Sequence, residues 1–250
     1  MNVKSLIRAG LTAAAIFSAA LLGSAIVAEA AEAVEVTVTI ENLAPEQGLV
    51  LTPLWVGFHD GSYDLYEPGL PASEGLERIA EDGSPMVLSE TFTTGHTDRV
   101  DGVITGDGIS PDSPPLIPPS TSATLTFTVD PATNPYFSYA SMILPSNDGF
   151  IGNESGTAHR VFDTNGEFIG ANFVIVGSQI LDAGTEVNDE AAESVPLLGQ
   201  MEPNTGTTEN GVVASHPGFA AGGNVLTGFP GAAFDQPLYP VANIRVELAE

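Results

Sequence analysis

The chain contains 250 residues, 43% of them hydrophobic, and carries 32 acidic residues against six basic ones. Such an acidic surface repels phosphate backbones and anionic lipid, which argues against direct binding to nucleic acid. Cysteine is absent, which excludes disulfides, thiolate metal sites and a cysteine nucleophile.

Residues 1–30 have the pattern of a secretory signal peptide. Lys4 and Arg8 form a positive start, Leu11–Val27 is apolar and rich in alanine, and Ala28-Glu29-Ala30 fits the small-x-small cleavage rule. We therefore expect cleavage after Ala30 and export to the periplasm, the cell surface or the medium.

The alternative reading of this segment is a single membrane anchor, because residues 9–28 carry no charge over nearly the length of a span. Cleavage leaves residues 31–250, which we expect to fold as one domain. That domain holds four arginines and 31 carboxylates, a formal charge of −27. This charge suits divalent cations or a salty medium, although solubility alone also explains it.

Strand patterns dominate the exported part of the chain. Alternation of apolar and polar residues predicts half-buried strands, and continuous apolar runs predict strands that are buried on both faces. The alternating segments are Val34–Ile40, Ala123–Val129 and Ala242–Leu248; the apolar runs are Leu49–Phe58, Phe137–Leu144 and Phe168–Val176; Met86–Phe92 is a weaker strand pattern. The sequence thus predicts an all-β fold with antiparallel pairing, an antiparallel β-sandwich.

We expect at most one or two short helices and two long irregular loops. Ala72–Ala80 has helical spacing, with Ser73 as a possible N-cap. The irregular stretches are 101–120 and 188–237, and loops of that length are often functional or wrapped onto the core.

Two segments place carboxylates on tight turns that follow apolar runs. Asp148 lies in SMILPSNDGFIG (141–152), and Asp182 and Glu186 bracket the turn DAGTE (182–186). A rigid sheet presents oxygen ligands to a hard cation in this way. An ordinary turn around Asp148 and a solvated acidic loop at 182–186 are the structural alternatives.

A third segment, HDGSYD (59–64), offers a possible second metal or ligand site. Its side chains are His59, Asp60 and Asp64, near a turn after a buried strand. The alternative is a structural turn with a hydrogen-bonded histidine.

The two carboxylate segments resemble motifs of the spondin domain. SMILPSNDGFIG resembles its strand ending in Pro-Ser-x-Asp-aromatic-x-Gly, and DAGTE is similar to its Asp-Ala-Gly-Thr-Asp turn. The start of the exported chain, from VTVTIENLAP (36–45), also looks like bacterial members, and the resemblance covers Val34 to Leu248.

This resemblance implies a β-sandwich similar to calcium-dependent membrane-binding domains. It also implies a calcium ion held by Asp148, Asp182 and Glu186. The chain departs from the family pattern where Glu186 replaces an aspartate and Gly149 replaces the aromatic residue, and it lacks the cysteines of animal members. Backbone carbonyls and water would complete the roughly six to eight oxygens that calcium takes, and magnesium fits less well.

The function that we expect is an exported, non-enzymatic calcium-binding module with a binding or adhesion surface for an unknown extracellular or cell-surface ligand. No residue is assigned a catalytic role. The rival hypothesis is an exported hydrolase of polysaccharide with two facing carboxylates, and a third is a structural component of the cell envelope. Trp55 is the chain's single tryptophan, whereas sugar clefts generally use several aromatic platforms.

Overall fold

The computed structural model describes residues 32–250, so the predicted signal segment 1–30 lies outside the described residues. No helix among residues 32–250 combines the length and the apolar character of a membrane span. The elements in chain order are β1 (Val34–Asn42), β2 (Val50–Leu51), β3 (Leu54–His59), α1 (Glu74–Asp82), α2 (Met86–Thr93), β4 (Val100–Ile104), β5 (Ser122–Val129), β6 (Tyr136–Leu144), β7 (Gly149–Gly152), β8 (Ala171–Val176), β9 (Leu181–Asp182), β10 (Ala214–Ser215), α3 (Asn224–Gly228) and β11 (Pro240–Leu248).

The strands form two antiparallel sheets. One has the order β5-β1-β11-β8, and the other has the order β10-β9-β7-β6-β3-β4, with β2 also paired to β6. The main core lies between them and combines side chains from both, such as Val38 and Ile244 of the first sheet with Val56 and Phe137 of the second. The protein is therefore an antiparallel β-sandwich, which confirms the predicted fold class.

The second sheet is also covered on its outer face, by the two helices α1 and α2. Along β3, Leu54, Val56 and Phe58 belong to the main core, whereas Trp55 belongs to a second cluster beneath the helices. The Trp55 ring meets the Phe92 ring of α2 edge to face, with 5.1 Å between centroids. Burial on both faces explains why this strand is continuously apolar in sequence.

Helix α1 confirms the helix predicted from Ala72–Ala80, shifted by two residues at each end. The Ser73 hydroxyl oxygen accepts a hydrogen bond from the Leu76 backbone N–H at 3.3 Å, which is the N-cap contact expected from the sequence. The helix ends at Gly83, whose φ of 63° lies in the left-handed region that glycine adopts without strain.

We expect Ser73→Ala to lower the free energy of unfolding by about 1 kcal/mol, because one N-terminal backbone N–H of α1 loses its partner. Urea unfolding measures this change, and Ser84→Ala, just beyond the helix, serves as the control. An unchanged urea midpoint for Ser73→Ala would show that the cap contributes nothing to the stability of α1.

The prediction of a strand at Met86–Phe92 is wrong, because this segment forms helix α2. Its buried side chains, Leu88 and Phe92, are four residues apart on one face of the helix, whereas Met86 is 76% exposed. The hydroxyls of Thr91 and Thr93 donate to backbone carbonyls one turn earlier in the helix, so both side chains are hydrogen-bonded in the helical conformation. Tertiary packing onto the sheet here outweighs the strand preference of valine, threonine and phenylalanine.

The two stretches predicted to be irregular are only partly so. The first contains most of β4, which pairs with β3, and the second contains β10 and α3. The second stretch also buries Val195, Val213 and Phe234, so it wraps onto the sandwich, as loops of this length often do.

Candidate metal site

The two turns predicted to carry metal ligands are neighbours in the structure. Strands β7 and β9 pair so that Gly149 lies opposite Asp182, and the Ala183 N–H donates to the Asp148 carbonyl at 3.1 Å. The turn before β7 and the turn after β9 therefore lie together at one end of the second sheet.

Asp148 is fully buried, and only one of its carboxylate oxygens is hydrogen-bonded. Oδ2 accepts from the backbone N–H groups of Thr185 at 2.9 Å and Glu186 at 3.1 Å, and from the Thr185 hydroxyl at 3.3 Å. Oδ1 has no hydrogen-bond partner. Burial raises the pKa of Asp148 to about 7, and the neighbouring Asp182 charge adds to the rise.

Asp182 holds the shape of its own turn. Oδ1 accepts from the Gly184 N–H at 2.7 Å, and Oδ2 accepts from the Asn188 side-chain amide. Gly184 has a φ of 67°, and a Cβ atom there would lie 2.5 Å from the Val212 nitrogen. A glycine is therefore required for the turn to pack against the chain at Val212.

Glu186 is 2% exposed and, like Asp148, keeps one oxygen without a partner. Its Oε1 accepts from the Gly206 N–H at 2.8 Å, while Oε2 has none. Burial raises the pKa of Glu186 to about 7, and the charges of Glu81 and Asp148 raise it further. Gly206 allows this close approach, because a Cβ there would lie 2.1 Å from the Glu186 carboxyl carbon.

The donor set fits a hard cation in its chemistry. Asp148 and Glu186 each present a buried, unpartnered carboxylate oxygen, and a nearby positive charge would compensate for burial of the two groups. The side chains do not stand as a ready-made cage: within residues 32–250 no three Asp, Glu or His side chains are placed to hold a metal together. An ion here would draw the three carboxylates closer and take further oxygens from the backbone and water.

Sequence reasoning missed the contribution of α1 to this site. Glu81 is 2% exposed, and Arg78 forms ion pairs with Glu77, Glu81 and Asp82. Burial raises the pKa of Glu81, and the ion pair with Arg78 partly offsets this rise. The available signal was an arginine set among three acids in a chain with few basic residues.

His216 packs beside the site. It is 8% exposed, its ring stands edge to face against Phe219 and Phe234, and its Nδ1 accepts from the Gly218 N–H. Burial lowers the pKa of His216 to about 4, although the Asp182 charge acts in the opposite direction. The ring is therefore neutral at physiological pH and packs as a largely apolar side chain.

The segment 59–64 forms a hydrogen-bonded turn. His59 is fully buried, with Nε2 at 3.0 Å from the Ser138 hydroxyl and Nδ1 accepting from the Gly61 N–H. Asp60 accepts from the Ser62 N–H, and Asp64 accepts from the Gly156 N–H. Both ring nitrogens of His59 are engaged, as in the structural alternative to a second ligand site.

These features define an antiparallel sandwich module with a buried carboxylate cluster at the end of one sheet. The family model Spondin_N, which describes the spondin N-terminal domain, matches residues 45–190. This match spans more than half of the chain, and the chain belongs to the spondin N-terminal domain family. Asp148, Asp182 and Glu186 all fall within the matched residues. A search among curated proteins found no significant match.

Proposed function

We propose that the protein is an exported, non-enzymatic spondin module whose loops are stiffened by one calcium ion at Asp148, Asp182 and Glu186. The observation that carries the proposal is the pair of buried, unpartnered oxygens, Asp148 Oδ1 and Glu186 Oε2. Native proteins rarely leave such atoms unsatisfied unless ordered water, an ion or a ligand partners them. Bound calcium would supply charge compensation, and the protein's own hydrogen bonds from Thr185, Glu186 and Gly206 hold the carboxylates in place.

A binding role is favoured over polysaccharide hydrolysis by the position of the aromatic side chains. Trp55 is fully buried, donates its Nε1–H to Asp101 and packs against Phe92, so it forms no platform for a sugar. The carboxylates of the cluster are engaged in backbone hydrogen bonds, as expected for a structural clamp between loops.

Calorimetric titration tests the calcium site. We expect one calcium ion per chain at pH 6.5, with release of up to about two protons, because Asp148 and Glu186 have pKa values near 7. Titrations in two buffers with different ionisation enthalpies measure the released protons. Binding without proton release would place the ion away from these two carboxyls.

Export is tested by the start of the mature chain. We expect mass spectrometry of the protein recovered from outside the cytoplasm to find Ala31 at the N-terminus, and Ala30→Leu to leave the precursor uncleaved because the small residue at the cleavage site is lost. Retention of residues 1–30 in the membrane fraction would support the anchor alternative.

A further inference from the structure

A groove of about 560 Å³ lies between two loops on the side of the sandwich that carries β2 and the end of β6. We call it the proline groove, because five prolines line it: Pro53, Pro114, Pro115, Pro196 and Pro203. Its floor includes Met142 and Leu144, which belong to a small apolar cluster apart from the main core.

Apolar side chains of both walls are exposed towards solvent. Ile109 on one wall is 54% exposed, and Leu197 and Met201 on the other are 40% and 89% exposed. Single exposed aliphatic residues are ordinary, but their grouping around an apolar floor is typical of an interaction site. The five prolines have no backbone N–H to donate, so their part of the lining offers apolar contacts.

The charges around the proline groove select among possible occupants. Glu202 lines it together with Asp82, whose carboxylate is paired with Arg78, and no lysine or arginine is among the described residues that line it. A second copy of this chain would bring the same strong negative charge and be repelled. An apolar segment with basic neighbours complements both the walls and the charges.

The wall that carries Leu197 and Met201 is fixed by the candidate metal site. Beyond its end, the Gly206 N–H donates to Glu186 Oε1, and the Asn204 N–H donates to Asp82 Oδ1 at 3.0 Å. The Val187 N–H also donates to the Thr207 carbonyl at 2.8 Å. The segment that supplies Glu186 thus holds the wall against the sandwich.

We propose that the proline groove is the docking surface for an apolar peptide segment flanked by lysine or arginine on a partner protein, an assignment that rests on the proposed role as a binding module. The calcium clamp holds one wall of the groove, so calcium strengthens the docking.

Methionine methyl NMR tests the proposal at the site itself. Met142 and Met201 line the groove, whereas Met86 does not. The probe is a synthetic peptide with a Leu-Val-Leu centre between lysine pairs, added to the calcium-loaded protein. We expect saturable shifts of the Met142 and Met201 methyl signals, with the Met86 signal unmoved.

Two matched peptides separate the two parts of the recognition. A peptide with the same centre between glutamate pairs tests the charge, and one with a serine centre between lysine pairs tests the apolar contact. We expect each to bind about tenfold more weakly or worse. Equal binding of either peptide would overturn the corresponding half of the proposal.

Variants provide a second control. Ile109→Ser with Leu197→Ser should weaken the lysine-flanked peptide about tenfold, since both side chains are solvent-exposed contacts of the groove. Leu70→Ser, at a position 55% exposed outside the groove, should leave binding unchanged. If the double variant and Leu70→Ser lose the same amount of peptide affinity, the peptide binds outside the groove.

Three outcomes would overturn the docking proposal outright: no shift at about 1 mM peptide, a Met86 shift as large as that of Met201, or concentration-dependent dimer formation that shifts Met201 without peptide.

Repeating the peptide titration with chelator distinguishes failure of the docking proposal from failure of the calcium proposal. If the unfolding midpoint responds to calcium but no peptide shift occurs, only the groove fails. If peptide binds but calcium changes neither binding nor midpoint, the calcium site and its effect on docking fail, while the groove stands as the docking surface.

Discussion

We expect calcium to raise the thermal unfolding midpoint of the chelator-treated protein by about 5–10 °C when its free concentration is about 100-fold above Kd. A ligand that binds only the folded state at that concentration contributes about 2.7 kcal/mol. The reason for expecting such a ligand is that Asp148 and Glu186 bury unpartnered oxygens, and neither carboxyl forms an ion pair with an arginine within residues 32–250. Differential scanning fluorimetry with calcium and with chelator measures the shift.

Glu186→Gln provides the matched test of this shift. The glutamine keeps an oxygen that can accept from the Gly206 N–H but removes the charge, so we expect most of the calcium response to disappear. Asp112→Asn removes a charge from an exposed loop and should keep the full response. A wild-type shift below about 1 °C at the same calcium concentration would remove the basis for a calcium clamp.

Asp148→Asn should act in opposite directions with and without calcium. With chelator at pH 8, we expect the variant to be more stable than the wild type by about 1–3 kcal/mol, because it no longer buries a charge beside Asp182 while it can still accept from Thr185 and Glu186. At free calcium about 100-fold above the wild-type Kd, we expect the wild type to gain about 2.7 kcal/mol and the variant to gain little.

The pH dependence of the free energy of unfolding provides a second test of the role of Asp148. The pKa of Asp148 rises from 3.8 to about 7 on folding, so the folded protein binds more protons than the unfolded chain between those values. The contribution of Asp148 to stability is therefore present below about pH 4 and is lost as the pH rises to about 7. Urea unfolding with chelator should show this loss in the wild type and a smaller one in Asp148→Asn. Identical pH profiles would show that the Asp148 carboxylate is not held in a charged, buried state.

Local periodicity was enough to predict most of the sandwich. The alternating segments at Val34–Ile40 and Ala123–Val129 become β1 and β5 because one face of each strand points into the core. The apolar run before Asp148 becomes β6, which is buried on both faces. Helix α2 could not be predicted in the same way, since its helical state depends on packing of Leu88 and Phe92 beneath the neighbouring helix and sheet.

The candidate site was predictable where its residues share a local pattern and hidden where they do not. Asp148 and Asp182 each follow an apolar strand, and pairing of β7 with β9 brings them together. Glu81 lies at the end of helix α1, about a hundred residues earlier, and Gly206 lies on the long loop, and no sequence pattern shows that either residue reaches this site. Their places depend on tertiary contacts that sequence spacing does not encode.

The proline groove, like Glu81 and Gly206, could not be predicted from the sequence. The acidic composition suits divalent cations or a salty medium, but the proline groove joins residues from β6, the end of α1 and four separate connecting segments. Only the folded chain brings Ile109 and Met201 to the same groove.

A crystal structure grown with calcium and recorded with anomalous scattering tests the central claim most directly. We expect a calcium ion at about 2.3–2.6 Å from oxygens of Asp148, Asp182 and Glu186, with backbone carbonyls and water completing its coordination. An ion bound elsewhere, or unpartnered Asp148 Oδ1 and Glu186 Oε2 at saturating calcium, would contradict the account.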